Sequence, residues 1–127
     1  MGQQQLLLII LGVIIVGIAI AVGISQFGAH STQANKDGVT SSLVNISANA
    51  YQFKIRPTTM GGGGGSYVGY IVPTKMTSDD NGMYAIQGSA TQTTIVFRGT
   101  SSMNATYTAD CTIDSTGKTA ISYSSGW

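Results

Sequence analysis

Charged side chains are scarce in this chain, which contains no glutamate at all. Five Asp and six Lys or Arg occur among 127 residues, and the densest basic pair is Lys54 with Arg56. Binding to a nucleic-acid backbone needs a cluster of basic groups, so we expect no specific nucleic-acid partner. The surface must be solvated mainly by Ser, Thr, Asn, Gln and Gly, a composition that suits an exported protein packed against copies of itself.

Cysteine and histidine occur once each, as Cys111 and His30. A single cysteine closes no disulfide within the chain, so Cys111 is expected to be a small core residue. A single histidine builds no histidine metal cluster. We therefore expect no enzyme, no metal site and no cofactor, because no set of titratable groups in the sequence resembles an active site.

Two short motifs imitate ligand sites. Residues 116–119 read Thr-Gly-Lys-Thr like the end of a phosphate-binding loop, but the first glycine of such a loop would lie at position 112, which is Thr112. Residues 79–81 offer oxygen ligands without the spacing of a calcium-binding EF-hand. Both segments are predicted to be turns between strands.

Charge is missing altogether from residues 1–35, and Leu6–Ile24 consists only of Leu, Ile, Val, Gly and Ala. As a helix, this stretch would measure about 28 Å, close to the hydrocarbon thickness of a bilayer. A cleavable signal peptide fits less well, because the site-like triplet at residues 19–21 has no basic residue before it and the apolar run is too long. A single membrane anchor carrying an exported domain is the simplest alternative.

Apolar residues continue beyond this stretch on one face only. Spacings of three and four separate Val39, Leu43, Ile46, Ala50 and Phe53. This periodicity predicts that the helix continues to Pro57 and buries one side. We expect residues 1–27 to be a hydrophobic transmembrane or filament-core helix and residues 28–57 its amphipathic continuation, roughly 80 Å in all.

Strand patterns replace the helical period after Pro57. Five consecutive glycines, Gly61–Gly65, predict a flexible loop over residues 58–66. Residues 67–127 then contain β-rich runs at 67–72, 83–87, 93–98, 105–113 and 119–123, separated by short turn signals. Connections this short predict an antiparallel meander of four to five strands. We expect an α+β fold in which the distal half of the helix covers the apolar face of this sheet and the hydrophobic half protrudes.

The layout of the first 55 or so residues resembles the N-terminal helix of mature type IV pilins. Gln5-Leu6-Leu7 precede the apolar run, Gly17 lies within it, Ser25-Gln26-Phe27 end it, and an amphipathic stretch follows. An α+β head is similar to the bacterial-type pilins and pseudopilins, whereas archaeal-type pilins carry an all-β head on the same helix. The resemblance implies a subunit whose leader is removed by a prepilin peptidase.

That resemblance also implies partners and a site. Subunits of the family reside in the inner membrane with the pilus assembly machinery and then polymerise into an extracellular, cell-surface filament of identical chains. We expect the assembly interface to include Met1, Gln5, Leu6, Leu7, Ile10, Ile14, Gly17, Ala21 and Phe27. Met1 is also the expected site of N-terminal methylation.

The chain departs from the family pattern at several positions. Gln5 stands where the family usually has a glutamate, so a neighbour's terminal amine would meet a neutral acceptor rather than a counter-ion. Alternatively, Gln3 is the first mature residue, and Leu7 then occupies the glutamate position. The family's helix-bending proline is absent, and we expect Gly23–Gly28 to extend or melt in a filament.

Modification and contact sites complete the sequence-based expectations. Asn45 and Asn104 begin N-glycosylation acceptor patterns. Tyr67, Tyr70 and Trp127 are expected to be exposed contact residues. Two other functions stay open: a pseudopilin of a type II secretion-like machine, and a monomeric, membrane-anchored, exported binding domain. The sequence does not distinguish adhesion, motility, DNA uptake and secretion.

Overall fold

The computed structural model describes residues 2–125 and Trp127. Helix α1 spans Gly2–Ile55, and short 3-10 helices span Thr58–Met60 and Thr74–Met76. The strands are β1 (Gly82–Ile86), β2 (Ile95–Ser101), β3 (Thr108–Ile113) and β4 (Thr119–Tyr123). The chain divides into two compact units at Gln33, here called the apolar helix segment (residues 2–33) and the head (residues 34–125 and Trp127).

The apolar helix segment is a single exposed helix. Every side chain from Gly2 to Ser31 is exposed, because the chain has no core large enough to surround a helix that is apolar on all faces. The helix is continuous through Gly23 and Gly28. The expected extension of this stretch refers to an assembled filament and stays a prediction.

The head is an α+β layer in which the second part of α1 lies on a four-stranded antiparallel meander of order β1-β2-β3-β4. This confirms the predicted fold class. Val39, Leu43, Ile46 and Ala50 are at most 1% exposed, and Phe53 packs at the edge of the same core. Alternate residues of the sheet face them, among them Ile95, Phe97, Ala109, Cys111 and Ile113. The apolar face of the helix, which repeats every three or four residues, and the apolar face of the sheet, which repeats every two residues, therefore pack together in one core.

One predicted strand is wrong. Residues 67–72 form a turn in which the Tyr70 amide donates to the Tyr67 carbonyl oxygen at 3.1 Å. Gly69 has φ +90° and reverses the chain, so Tyr67 and Tyr70 both point inward although they are three residues apart. Their expected exposure is also wrong: Tyr67 is 0% and Tyr70 6% exposed.

Both tyrosine hydroxyls find partners inside the head. The Tyr67 hydroxyl donates to the Asp114 carbonyl oxygen at 2.6 Å, and the Tyr70 hydroxyl donates to Asn49 Oδ1 at 2.7 Å. Burial raises the pKa of Tyr70 to about 12. The turn is thus tied to the helix on one side and to the end of β3 on the other.

The glycine loop caps the end of α1. Amides of Gly63, Gly64 and Gly65 donate to the carbonyl oxygens of Phe53, Arg56 and Lys54 at 2.8, 3.0 and 2.6 Å. The last carbonyls of a helix have no partner within the helix, so these bonds satisfy groups that would otherwise need water. The loop is therefore held by backbone hydrogen bonds, a property that its composition did not indicate.

Candidate assembly surface

The residues predicted to form an assembly interface all lie on the exposed apolar helix segment, except Met1, which is outside the described residues. Leu6, Leu7, Ile10, Ile14 and Phe27 are 60, 65, 55, 52 and 76% exposed. Their neighbours on the other faces, such as Leu8 and Ile15, are exposed to the same degree. The geometry thus offers an apolar cylinder and does not single out one stripe of it.

This surface carries no charged side chain that a partner would have to neutralise. No Asp, Glu, Lys or Arg occurs before Lys36, and the backbone amides and carbonyls are bonded within the helix. By length and composition α1 could cross a membrane, and its most apolar window has no buried residue. Lipid tails and apolar side chains can cover such a surface equally well.

Among the described residues, nothing outside the helix packs against four glycines of this segment. A Cβ atom built on Gly12, Gly17, Gly23 or Gly28 would meet nothing within 4 Å. Gly17 and Ala21 lie four residues apart, and so do Ala19 and Gly23. That spacing leaves a shallow strip where another helix backbone can approach closely.

The two predicted sugar acceptors are exposed on the head. Asn104 lies in the β2–β3 turn, where its Oδ1 accepts from the Thr106 amide at 3.0 Å and from the Thr106 hydroxyl at 2.8 Å. Asn45 lies on α1 and lines a groove together with Lys75 and Asp79. Both side chains are accessible, and glycosylation of either stays a prediction.

The motif that imitates a phosphate-binding loop is a turn, as predicted. Asp114 Oδ1 accepts from the amides of Thr116 and Lys118 at 2.9 and 3.0 Å, and the Gly117 amide donates to the Asp114 carbonyl oxygen at 3.2 Å. These bonds close the β3–β4 hairpin and leave no ring of free amides for phosphate.

Asp79 has a structural role that sequence reasoning missed. Its carboxylate accepts from the Ser42 hydroxyl at 2.6 Å, from the Tyr84 hydroxyl, and from the amides of Asn81 and Gly82. It thereby joins α1, the turn before β1, and β1 itself. Burial alone would raise the pKa of Asp79, but the hydrogen bonds outweigh it and hold the pKa below its usual value.

Cys111 is a buried core residue, as predicted, with its Sγ 3.0 Å from Ser47 Oγ. Trp127 corrects the sequence-based expectation, because it is only partly exposed and packs at the edge of the core. Its ring stacks on Tyr107 with centroids 6.0 Å apart and meets Tyr123 edge-on at 5.9 Å. Within the described residues, no three His, Cys, Asp or Glu side chains group as a metal site would require.

Comparison with known proteins assigns no family: no family model, no curated protein and no solved structure matches this chain.

Proposed function

We propose that the chain is a structural subunit, a pilin of an extracellular type IV pilus-like filament, that polymerises through its N-terminal helix. Before assembly the same helix anchors the subunit in the inner membrane, where a prepilin peptidase and the assembly machinery act on it. In the filament the apolar helix segments of identical subunits replace lipid around one another.

One observation carries the proposal. The apolar helix segment presents large aliphatic side chains at 52–69% exposure from Leu6 to Ile24 on every face. Soluble monomers rarely expose apolar patches beyond a few hundred Å², so this surface needs a lipid or protein partner. The bare glycines and the absence of charge favour neighbours that approach closely.

The separate core of the head also supports the proposal. It has its own core, from Val39 to Ile113, and none of the core residues belongs to the apolar helix segment. A subunit of this design can exchange lipid for protein around its helix while the head keeps its fold. A pseudopilin and a membrane-anchored monomer share that design, and the experiment below separates them from a pilin.

The test is electron microscopy of material sheared from the surface of cells that express the full chain. We expect long filaments that contain it, and we expect Ile14→Asp to abolish them. Ile14 is 52% exposed, and a carboxylate there would lose its hydration among packed helices without gaining a partner.

The matched control is Ile71→Asp, which places the same charge on an 81% exposed side chain of the head. Filaments should persist in this variant. Short assemblies confined to the membrane fraction would favour the pseudopilin, and recovery of the native chain only as a detergent-solubilised monomer would favour the anchored binding domain. Normal polymerisation of Ile14→Asp would contradict the proposal.

A further inference from the structure

The two edges of the sheet in the head differ. On the β1 side, the Tyr84 amide donates to the Thr77 carbonyl oxygen at 2.8 Å, and the Asp79 amide donates to the Gly82 carbonyl oxygen at 2.9 Å. The segment before β1 therefore covers the outward backbone groups of Gly82 and the outward amide of Tyr84. A second strand cannot pair along this covered part of the edge.

The β4 edge is open. Ser124 and Lys118 bond to β3 at the two ends of the strand, so the alternation of an antiparallel ladder turns Ala120 and Ser122 toward β3. The amides and carbonyls of Thr119, Ile121 and Tyr123 then point outward. Among the described residues, none of these groups has a backbone or side-chain partner.

Nothing in β4 protects this edge in the usual ways. The strand reads Thr-Ala-Ile-Ser-Tyr, with no charged residue and no proline. Beside it, a groove between α1 and the β3–β4 hairpin is lined in part by Val44, Ala48 and Thr119, and Val44 is 42% exposed. Open backbone groups next to an apolar flank are what an added strand requires.

We propose that β4 is an interaction surface that pairs antiparallel with β4 of a second copy of this chain. The pairing is self-complementary when a two-fold axis passes through Ile121. Ile121 then faces its own equivalent, and Thr119 of each copy faces Tyr123 of the other. Each of the three facing pairs joins two residues whose backbone amide and carbonyl groups point out of the edge. Every outward amide of one copy therefore meets an outward carbonyl oxygen of the other.

Charge is compatible with this register. Lys118, the basic residue next to β4 in the sequence, would lie opposite Ser124 of the second copy. Lys36, whose Nζ lies 4.2 Å from the centroid of the Tyr123 ring, belongs to α1 and not to the paired strand, so no like charges face each other in the pairing. The pairing extends the sheet from four strands to eight. The pairing also brings those side chains of the second β4 that lie on the α1 side of the sheet toward the exposed residues Val44 and Ala48.

The symmetry separates this contact from filament assembly. A two-fold axis perpendicular to the sheet makes the α1 residues of the two heads run in opposite directions. Subunits of one polar filament share one direction, so the paired copies belong to different filaments or to unassembled chains. The inference thus goes beyond the proposed function and does not depend on it.

The experiment uses cysteine cross-linking of the full chain in detergent, with both cysteine variants made in a Cys111→Ser background. Ile121 lies directly opposite Cys111 across β3 and β4, so a cysteine at position 121 would otherwise compete for an internal disulfide. Facing residues of a hydrogen-bonded antiparallel pair have Cα atoms about 5.5 Å apart, within disulfide range, so Ile121→Cys should give a covalent dimer on mild oxidation. Ser122→Cys is the matched control, because Ser122 would face Ala120 of the other copy rather than its own equivalent. We expect at least about tenfold more dimer from Ile121→Cys. The native chain, whose only thiol is the buried Cys111, should give none.

Two proline variants test the hydrogen bonds. Thr119→Pro in the Ile121→Cys background removes an outward amide only and should abolish the dimer without unfolding the head. Ala120→Pro removes an amide that bonds to β3 and should destabilise the head. Equal cross-linking at positions 121 and 122, or dimer that survives Thr119→Pro, would overturn the inference. Should Thr119→Pro fail to fold, the comparison of the two cysteine variants still decides, and electron microscopy of filaments tests the proposed function separately.

Discussion

At the scale of single residues, a few buried polar atoms decide how the helix is placed on the sheet. Asn35 is 8% exposed, and its side chain donates to the Asn81 carbonyl oxygen at 2.9 Å while it accepts from the hydroxyl of Ser101, itself 5% exposed. Apolar contacts alone would let the helix slide by a turn. Paired polar atoms restrict it, because a shift leaves them unsatisfied.

Asn35→Ala is therefore expected to destabilise the head by about 1–3 kcal/mol, because it leaves the buried Ser101 hydroxyl without an acceptor and removes one of the two hydrogen bonds to the Asn81 carbonyl oxygen, which keeps the Ser102 amide. For a head of this size, each kcal/mol corresponds to a fall of roughly 4–8 °C in unfolding temperature. Thermal unfolding of the full chain in detergent measures it. Ser41→Ala, at an exposed position of the same helix, should change little, and an equal loss in both variants would argue against this role of Asn35.

Acid should unfold the head through its aspartates. The pKa values of Asp79, Asp110 and Asp114 all lie below their usual values, that of Asp110 chiefly through the hydrogen bonds that it accepts from Arg98. Such groups contribute stability above the pKa of the unfolded chain, about 3.9, and the contribution disappears as the pH falls through the folded-state pKa values.

We expect the unfolding temperature to be constant between about pH 5 and pH 8, below the range in which the Cys111 thiol and the buried tyrosines ionise, and to fall below about pH 5. Asp79→Asn should lower the unfolding temperature at neutral pH and make its fall in acid less steep, since an amide keeps the shape of the side chain without its charge. A fall in acid as steep as that of the native chain would show that Asp79 does not contribute to the acid sensitivity.

At the scale of elements, the end of α1 depends on a loop whose glycines are structural. A Cβ atom on Gly63 would overlap the Ser66 carbonyl oxygen and crowd the ring of Phe53. Gly65 has φ +98°, which residues with a side chain rarely adopt. The loop needs glycine to reach the last carbonyls of the helix.

Gly63→Ala should consequently cost about 1–3 kcal/mol, because the loop must move away from the helix end or strain its backbone. Circular dichroism during thermal unfolding of the detergent-solubilised chain provides the measurement. The control is Thr59→Ala, at an exposed position of the adjacent 3-10 helix. Unchanged stability of Gly63→Ala would mean that the loop is not required as a cap.

At the scale of the whole molecule, the same helix serves two environments. Ile14 in the apolar helix segment is 52% exposed, whereas Leu43 in the head is 0% exposed. Both are aliphatic residues of α1. Leu43 is covered by the core of its own head, whereas Ile14 can be covered only by lipid or by another protein chain. The division at Gln33 marks where the chain begins to supply its own core.

Aspartate at these two positions should have different effects on the folding of the head. Ile14→Asp should leave the unfolding temperature of the head unchanged in detergent, because no core residue of the head precedes Val39. Leu43→Asp should prevent folding, because it buries an unpaired carboxylate at the centre of the core. Intrinsic tyrosine fluorescence of the two variants measures this directly. A head that unfolds in Ile14→Asp would show that the apolar helix segment supports it.

The local periodicities of the sequence were sufficient to predict the helix, the burial of one face of its second part, and strands at four of the five β-rich runs. Those patterns reflect the repeat of each element, so they can be read without knowing what lies across the core. Residues 67–72 show the limit of such reasoning. Their β-rich composition suggested a strand, but Gly69 reverses the chain and both tyrosines turn inward.

The candidate assembly surface could be predicted because an uncharged apolar run is apolar whatever surrounds it. Only the tertiary structure decided the roles of Asp79 and Asn35, the capping of α1 by the glycines, and which edge of the sheet is open. These features depend on donors and acceptors that are distant in sequence, and the chain must fold before they meet. The sequence alone thus determined which surfaces are apolar, and the folded head determined which polar groups have partners.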